Sequence, residues 1–373
     1  MADADRNEQS WIAAGLYDPD APGADGRHAL LTWIASHDVP VDAMVEAMRV
    51  GQLGSLVGDR ALRGVPELTV GDVAERAGLP LEAVRQLRRA MGFAAAGDDE
   101  RVYSVAELEM FRLFAAADAF FSRDELLHFV RVMASSLRRV AEAANEMFLR
   151  DVEAPIQQGP RDPVALAQAN LAAVQLVDNV TTVFGPVFRA ELHATALDSR
   201  RARTAACDYT TMPLAIGFVD LSGFTTRVAD LPADELLGMV VAFETASLDL
   251  VSEHGGRLIK LIGDEVMFST VEPQKACDIA LGLLARAEKA HVAARGGLSF
   301  GSVVTSGGDV YGNPVNLASR ITDVAVPGEV LVDDALRDAV TTSADSHRLE
   351  FEPAGRRQLK GFSEPVRLWS LSR

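Results

Sequence analysis

In the second half of this 373-residue chain, charged and amide side chains stand inside stretches that are otherwise apolar. The stretch GFVDLSGFT, 217–225, ends an apolar run on Asp220 and follows it with small residues, past which backbone N–H groups can approach a phosphate. RLIKLIGDEVMF, 257–268, reads as two apolar strands about a Gly-Asp bend, yet it carries Lys260, Asp264 and Glu265. Asp220 at a strand end and Asp264 at a hairpin bend make a carboxylate pair on adjacent strands, the kind of oxygen set that holds Mg2+ together with substrate phosphates. Standing alone, Asp220 would serve equally well as a turn cap. Two ions in such a site can activate an attacking hydroxyl and steady a leaving phosphate. Lys260 and Asp264 are four apart on an extended chain, so they share a face but stand about 13 Å from each other. One small metal cluster cannot easily use both, and they suit two different places, for example two sites related by a dimer axis.

GDVYGNPVNLASR, 308–320, puts Asp309 in a Gly-flanked turn and sets Asn316 and Arg320 four apart on a short helix, hence on one face. An amide and a guanidinium on one face suit a ribose and a phosphate. Without other signals, the same pair would read as an interior amide and a surface arginine. RRQLKGF, 356–362, places Lys360 before a glycine and a strand. The chain has only four lysines, Lys260, Lys275, Lys289 and Lys360. Where arginine is the habitual cation, a lysine kept in an apolar hairpin points to a site that needs a compact point charge.

The elements that must hold these residues follow from periodicity. From 212 onward, short apolar strands (MPLAIGFV, GGLSFGSVVTSG, GEVLV, HRLEFEP, PVRLWSL) alternate with amphipathic helices and include one tight hairpin. That grammar predicts an α+β fold on a mixed or antiparallel sheet rather than a doubly wound one. From 27 to 198 the apolar spacing is three and four, which predicts an all-helical domain long enough to bury its own core. Residues 1–26, with DPDAPGADG, read as a flexible arm, and 199–211, SRRARTAACDYTT, as a linker. Within the helical half, 68–93 reads as helix, Gly-containing turn, helix, with Arg85, Arg88 and Arg89 on the second helix. This segment resembles the helix-turn-helix of MerR-type regulators. Use as a packing unit is the preferred reading, because Asp72, Glu75 and Glu82 share the segment.

Bulk properties narrow the class. A formal charge of -17 argues against non-specific binding of nucleic acid or anionic membranes by the whole chain. The same charge argues against DNA as a partner. Cys207 and Cys277 form no disulfide framework and read as reduced thiols of a cytoplasmic protein. The N-terminus lacks the basic and apolar regions of a signal peptide, and no run of about 18 apolar residues suggests a membrane span.

FVDLSGFT, KLIGD, DVYGNPVNLASR and LKG occur in the order and spacing of a known family. The half from about 212 to 372 resembles a class III nucleotidyl cyclase domain, a ferredoxin-like fold. The resemblance implies an adenylyl cyclase converting ATP to 3′,5′-cyclic AMP and pyrophosphate. It implies that Asp220 and Asp264 ligate two divalent ions, Mg2+ or Mn2+. Lys260 would donate to adenine N1 and Asp309 would accept from the N6 amine; Asn316 would orient the ribose, Arg320 would stabilise the transferring α-phosphoryl group, and Lys360 would hold the terminal phosphates. In the family one protomer supplies the metal aspartates and its partner the other five residues, so a homodimer with shared sites is implied. The helical half resembles more loosely the autoinhibitory domain of mycobacterial-type soluble, pH-dependent adenylyl cyclases, and His28, His37, His128 and His193 are histidines there that could titrate.

Overall fold

The computed structural model describes residues 2–159, 162–203, 211–222, 233–290, 292–342 and 348–373. The chain divides into two compact units, Met1–Arg189 and Ala190–Arg373.

In the first unit, α1 (Ala2–Ala13), α2 (Ala24–Ala35), α3 (Val41–Arg49) and α4 (Leu56–Arg63) enclose one apolar core. The expectation of a flexible arm over 1–26 is overturned. α1 is helical, and Trp11 and Leu16 are buried against Leu30, Leu31 and Ile34. His28 is held edge-on between the rings of Trp11 and Tyr17, 3.4 Å from Glu8. DPDAPGADG follows those anchors as the connection to α2, so its polarity describes a turn and not the whole segment.

A second core gathers α5 (Val70–Ala77), α6 (Leu81–Ala90), α7 (Leu108–Ala117) and the start of α8 (Arg123–Phe148). Thr69 and Asp72 form a reciprocal cap on α5, and Gly78, at φ 68°, turns the chain into α6. The α6 arginines are all engaged locally. Arg85 pairs with Asp98 at 2.5 Å and Arg89 with Glu82 at 2.6 Å, while Arg88 donates to the Ala94 carbonyl at 2.6 Å and lies over Tyr103 and Phe93.

After α9 (Ala154–Gln158), α10 runs from Pro163 to Arg203. It crosses the first part of the expected 199–211 linker; residues 204–210 lie outside the described residues. Asp198 and Arg201 pair there at i,i+3. By length and composition alone α10 could cross a membrane, with a mean hydropathy of 1.3 over an unburied window. This departs from the expectation of no such segment. Its exposed apolar residues Leu176, Val177, Val180, Phe184, Val187 and Phe188 recur at helical spacing, with Gln175, Asn179, Thr181 and Thr182 between them. An apolar stripe of this kind suits packing against another surface better than an all-round lipid environment.

The second unit is built on one mixed sheet in the order β2-β3-β1-β4-β6-β8-β7, with β5 paired to β4. Its strands are β1 (Met212–Ser222), β2 (Arg257–Ile262), β3 (Glu265–Thr270), β4 (Ala293–Ser306), β5 (Asp309–Tyr311), β6 (Val330–Asp333), β7 (Glu350–Arg357) and β8 (Val366–Ser372). Only β4 and β6 run parallel among the pairs described. α11 (Ala233–Glu253), α12 (Pro273–Lys289) and α14 (Asp334–Thr341) cover one face of the sheet, and α13 (Asn313–Val324) covers the other. β1 therefore reads as a continuous apolar run: Leu214, Ile216 and Phe218 face α13, while Ala215, Val219 and Leu221 face α12. α13 lies directly on Gly297 of β4, where a Cβ would stand 2.4 Å from the Thr322 amide nitrogen. This close approach seats the helix that carries Asn316 and Arg320.

Candidate active site

Three groups of polar residues surround the α13 face of the sheet. The first is a row across three strands. Asp220 of β1 stands opposite Glu265 of β3 and opposite Arg295 of β4, so all three side chains share a face. Arg295 grips Asp220 with two nitrogens, Nε at 2.9 Å and Nη2 at 2.8 Å, and donates through Nη1 to the Asp323 carbonyl. Asp264 occupies the β2–β3 turn after Gly263, and its carbonyl accepts from the Leu221 N–H. Burial, then the charge of Asp220, raises the Asp264 carboxyl above the usual range. Glu265 is pushed up to about 7, first by burial and then by Asp220, Asp323 and Asp264, with Arg295 opposing. Among the described residues, no group of three or more His, Cys, Asp or Glu could hold a metal unaided. Two carboxylates completed by substrate phosphates remain a fitting donor set for a hard divalent ion, which keeps most of its ligands from outside the protein.

The second group joins Lys260 to Asp309 by a 2.5 Å bond between Nζ and Oδ2. Asp309 opens β5, and its other carboxylate oxygen accepts the Val310 N–H. Burial pushes the Asp309 carboxyl up. The Lys260 bond, the Val310 N–H and the charges of Lys260 and Arg257 outweigh that and hold it below the usual value.

The third group lines a pocket of about 380 Å³, where Asn316, Arg320 and Lys360 meet Asn313, Ser319 and Phe362. Asn316 and Arg320 project from α13, and Arg320 is tethered to Asp323 at 2.8 Å. Lys360 sits in the turn between β7 and β8, fixed by buried Leu359 beneath it and by left-handed Gly361 after it.

The structure thus brings Asp220 and Asp264 together, Lys260 and Asp309 together, and Asn316, Arg320 and Lys360 together. The pocket of the third group is lined by none of the other four. Residues 223–225, the end of the small-residue turn after Asp220, lie outside the described residues. Two arginines escaped the sequence reading. Arg295 was signalled only by its place in AARGGLSF, an otherwise uncharged strand. Arg257, which donates to the Gly308 carbonyl at 2.6 Å, looked like an ordinary strand-end cation.

Residues 208–372 match the family described as the adenylate and guanylate cyclase catalytic domain, and residues 7–193 match the adenylate cyclase regulatory domain. The chain belongs to the adenylate cyclase family, as an enzyme with a helical regulatory domain ahead of a class III catalytic domain. An adenylate cyclase of Streptomyces coelicolor is 34% identical over 279 residues, covering 73% of this chain and 71% of its own. A pH-sensitive adenylate cyclase of Mycobacterium tuberculosis is 30% identical over 317 residues, covering 81% and 77%. An uncharacterized protein of the same species is 33% identical over 365 residues, covering 96% and 92%.

Proposed function

We propose that the chain converts ATP to 3′,5′-cyclic AMP and pyrophosphate as a homodimer, with each of two sites completed by residues of both protomers. The observation that carries this reading is that the pocket holding Asn316, Arg320 and Lys360 is lined by none of Asp220, Asp264, Lys260 and Asp309, so a second protomer is the natural source of the missing groups. Mg2+ or Mn2+ bound by Asp220 and Asp264 with the substrate phosphates would lower the pKa of the ribose 3′ hydroxyl and offset charge on the leaving pyrophosphate. Arg295 holds the Asp220 carboxylate in place. From the partner, Lys260 donates to adenine N1 and Asp309 accepts from the N6 amine. Asn316 orients the ribose, Arg320 meets the charge that develops on the α-phosphoryl group, and Lys360 holds the terminal phosphates. Most of the rate enhancement then comes from positioning and charge stabilisation.

Base choice rests on the same pair. Guanine presents an N1–H and a C6 carbonyl where adenine presents a bare N1 and an amine, and each mispaired buried group costs about 1–3 kcal/mol. The helical half is proposed to restrain the catalytic half, in a pH-dependent manner.

Cyclic AMP production from ATP with Mn2+, by the full chain between about pH 5.5 and 8, tests the activity. A mixing experiment tests the shared site. Asp220→Ala and Arg320→Ala chains, each inactive alone, should recover about a quarter of wild-type turnover when mixed, since half of the dimers pair the two variants and each such dimer keeps one intact site. Demonstrated heterodimers without recovery would refute the shared site.

A further inference from the structure

We infer that Arg257 is a positioning residue for base recognition: it anchors the β4–β5 turn, and through that turn the Asp309 carboxylate. The inference rests on the assignment of Asp309 to the purine made above.

Arg257 and Lys260 are three apart on β2, and in a regular strand they would face opposite sides of the sheet. They do not, because β2 carries a bulge. Arg257 pairs with Ser269 and Leu258 with Phe268, but Lys260 pairs with Met267, leaving Ile259 as the extra residue. A bulge of this kind re-phases the strand beyond it. Leu258 and Leu261 consequently both pack into the α12-side core, while Ile259 packs with Met267 on the other side. Arg257 and Lys260 reach from the same face to the same place: Arg257 Nη2 to the Gly308 carbonyl at 2.6 Å, and Lys260 Nζ to Asp309 Oδ2 at 2.5 Å.

That place is a two-residue turn. Ser306 pairs with Asp309 across Gly307 and Gly308, both left-handed at φ 58° and 87°, the conformation such hairpins need. Two glycines supply the geometry without restricting it, and β5 is only three residues long and, among the described strands, pairs only with β4. Val310 roots the ribbon in the core. The turn itself is held by the guanidinium on Gly308, one residue before the carboxylate. Lys260 cannot replace this anchor. Its ammonium has three donors, and if one holds Asp309 and another serves ring N1, its own position depends on where Asp309 stands. Arg257 is exposed, so its contribution to overall stability is small; what it decides is the orientation of Asp309.

The test uses the full-length dimer with ATP and with purine riboside triphosphate, the analogue that lacks the N6 amine. Arg257→Gln should lower kcat/KM for ATP roughly tenfold, the weight of one misplaced hydrogen bond, chiefly through KM, and bring the two substrates close to parity. Arg257→Lys, which can still donate to the Gly308 carbonyl, should restore most of the preference. In an Asp309→Ala background Arg257→Gln should change nothing further. Gly308→Ala, with a Cβ 3.4 Å from the guanidinium on a left-handed backbone, should imitate Arg257→Gln and serves as the second variant should that one fail to fold. Equal losses in the wild-type and Asp309→Ala backgrounds overturn the inference. So does an unchanged substrate ratio in Arg257→Gln beside a collapsed one in Asp309→Ala. An unchanged ratio in Asp309→Ala itself overturns the amine assignment, and the role of Arg257 falls with it.

Discussion

A hollow in the catalytic half and one in the helical half are alike in volume and opposite in chemistry. The pocket of the catalytic half, about 380 Å³, is walled mainly by amides, hydroxyls, a guanidinium and an ammonium. The cavity among α6, α7 and α8, about 470 Å³, is walled almost wholly by apolar side chains, Met91, Phe111, Phe114, Leu126, Phe129 and Met133 among them, with Glu125 the one carboxylate. The polar pocket is made by short stretches whose residue types are out of place in their elements. The apolar cavity is made by ordinary core-type residues whose helices leave space between them. A hollow of the first kind is lined by fixed charges and polar groups suited to an anionic ligand, and a hollow of the second kind shows itself through packing alone.

The comparison can be broken most sharply at the charges. Arg320→Ala should reduce kcat for cyclic AMP formation by at least about 10³-fold while leaving the thermal unfolding of both halves unchanged, because the side chain is half-exposed and its ion pair with Asp323 is a surface one. A large fall in stability instead would make Arg320 a structural residue. In the helical half the signs reverse. Phe111 is fully buried, and Phe111→Ala should destabilise that half by about 3–4 kcal/mol. Hydrogen exchange should show faster opening of α5–α8 with unchanged protection of the β1–β4 amides; loss of protection in both would mean that they unfold as one unit.

A smaller effect is expected from the buried carboxylate of Asp333. Burial raises it to about 6, against the opposing bonds from Ser299, the Leu336 N–H and the Phe300 N–H. A carboxyl raised above its unfolded value favours the fold while protonated, so its contribution is complete below about pH 4 and lost as pH rises through about 6. β6 and β8 should therefore be more protected at pH 5 than at pH 7.5, by about 1.4 kcal/mol, and Asp333→Asn should flatten that difference. A profile unchanged by the substitution would assign the pH dependence to another group. A change confined to base choice tests the purine site without touching the fold: Lys260→Glu with Asp309→Ser should lose ATP turnover while the fold holds, and unchanged ATP kinetics would remove both residues from the purine site.

Legibility followed the same divide. The strands and helices from 212 onward were readable because each apolar run has the period of its element and is closed by Gly, Pro or a capping residue. The arm over 1–26 was misread because a polar run of Asp, Pro and Gly outweighed two anchors, Trp11 and Leu16, whose burial depends on α2. The linker was misread at its start because Asp198 to Arg203 carry no apolar period, although nothing in them opposes a helix. Arg295 and Arg257 were passed over for a related reason: an arginine at a strand end or on a half-exposed strand is common, and only its partner distinguishes it.

The sequence by itself determined the mixed α+β class, the helical half before it, and the identity and order of the side chains proposed for the chemistry, because periodicity and out-of-place charges are local properties of the chain. Only the tertiary structure decided which of those side chains meet. Asp220, Glu265 and Arg295 become one row through strand register, Arg257 and Lys260 come to one face through a single extra residue in β2, and Asn316, Arg320 and Lys360 share a pocket because Gly297 lets α13 lie on the sheet. Register, bulge and close approach are relations between segments far apart in the chain, set by which packing buries the apolar faces of all of them at once.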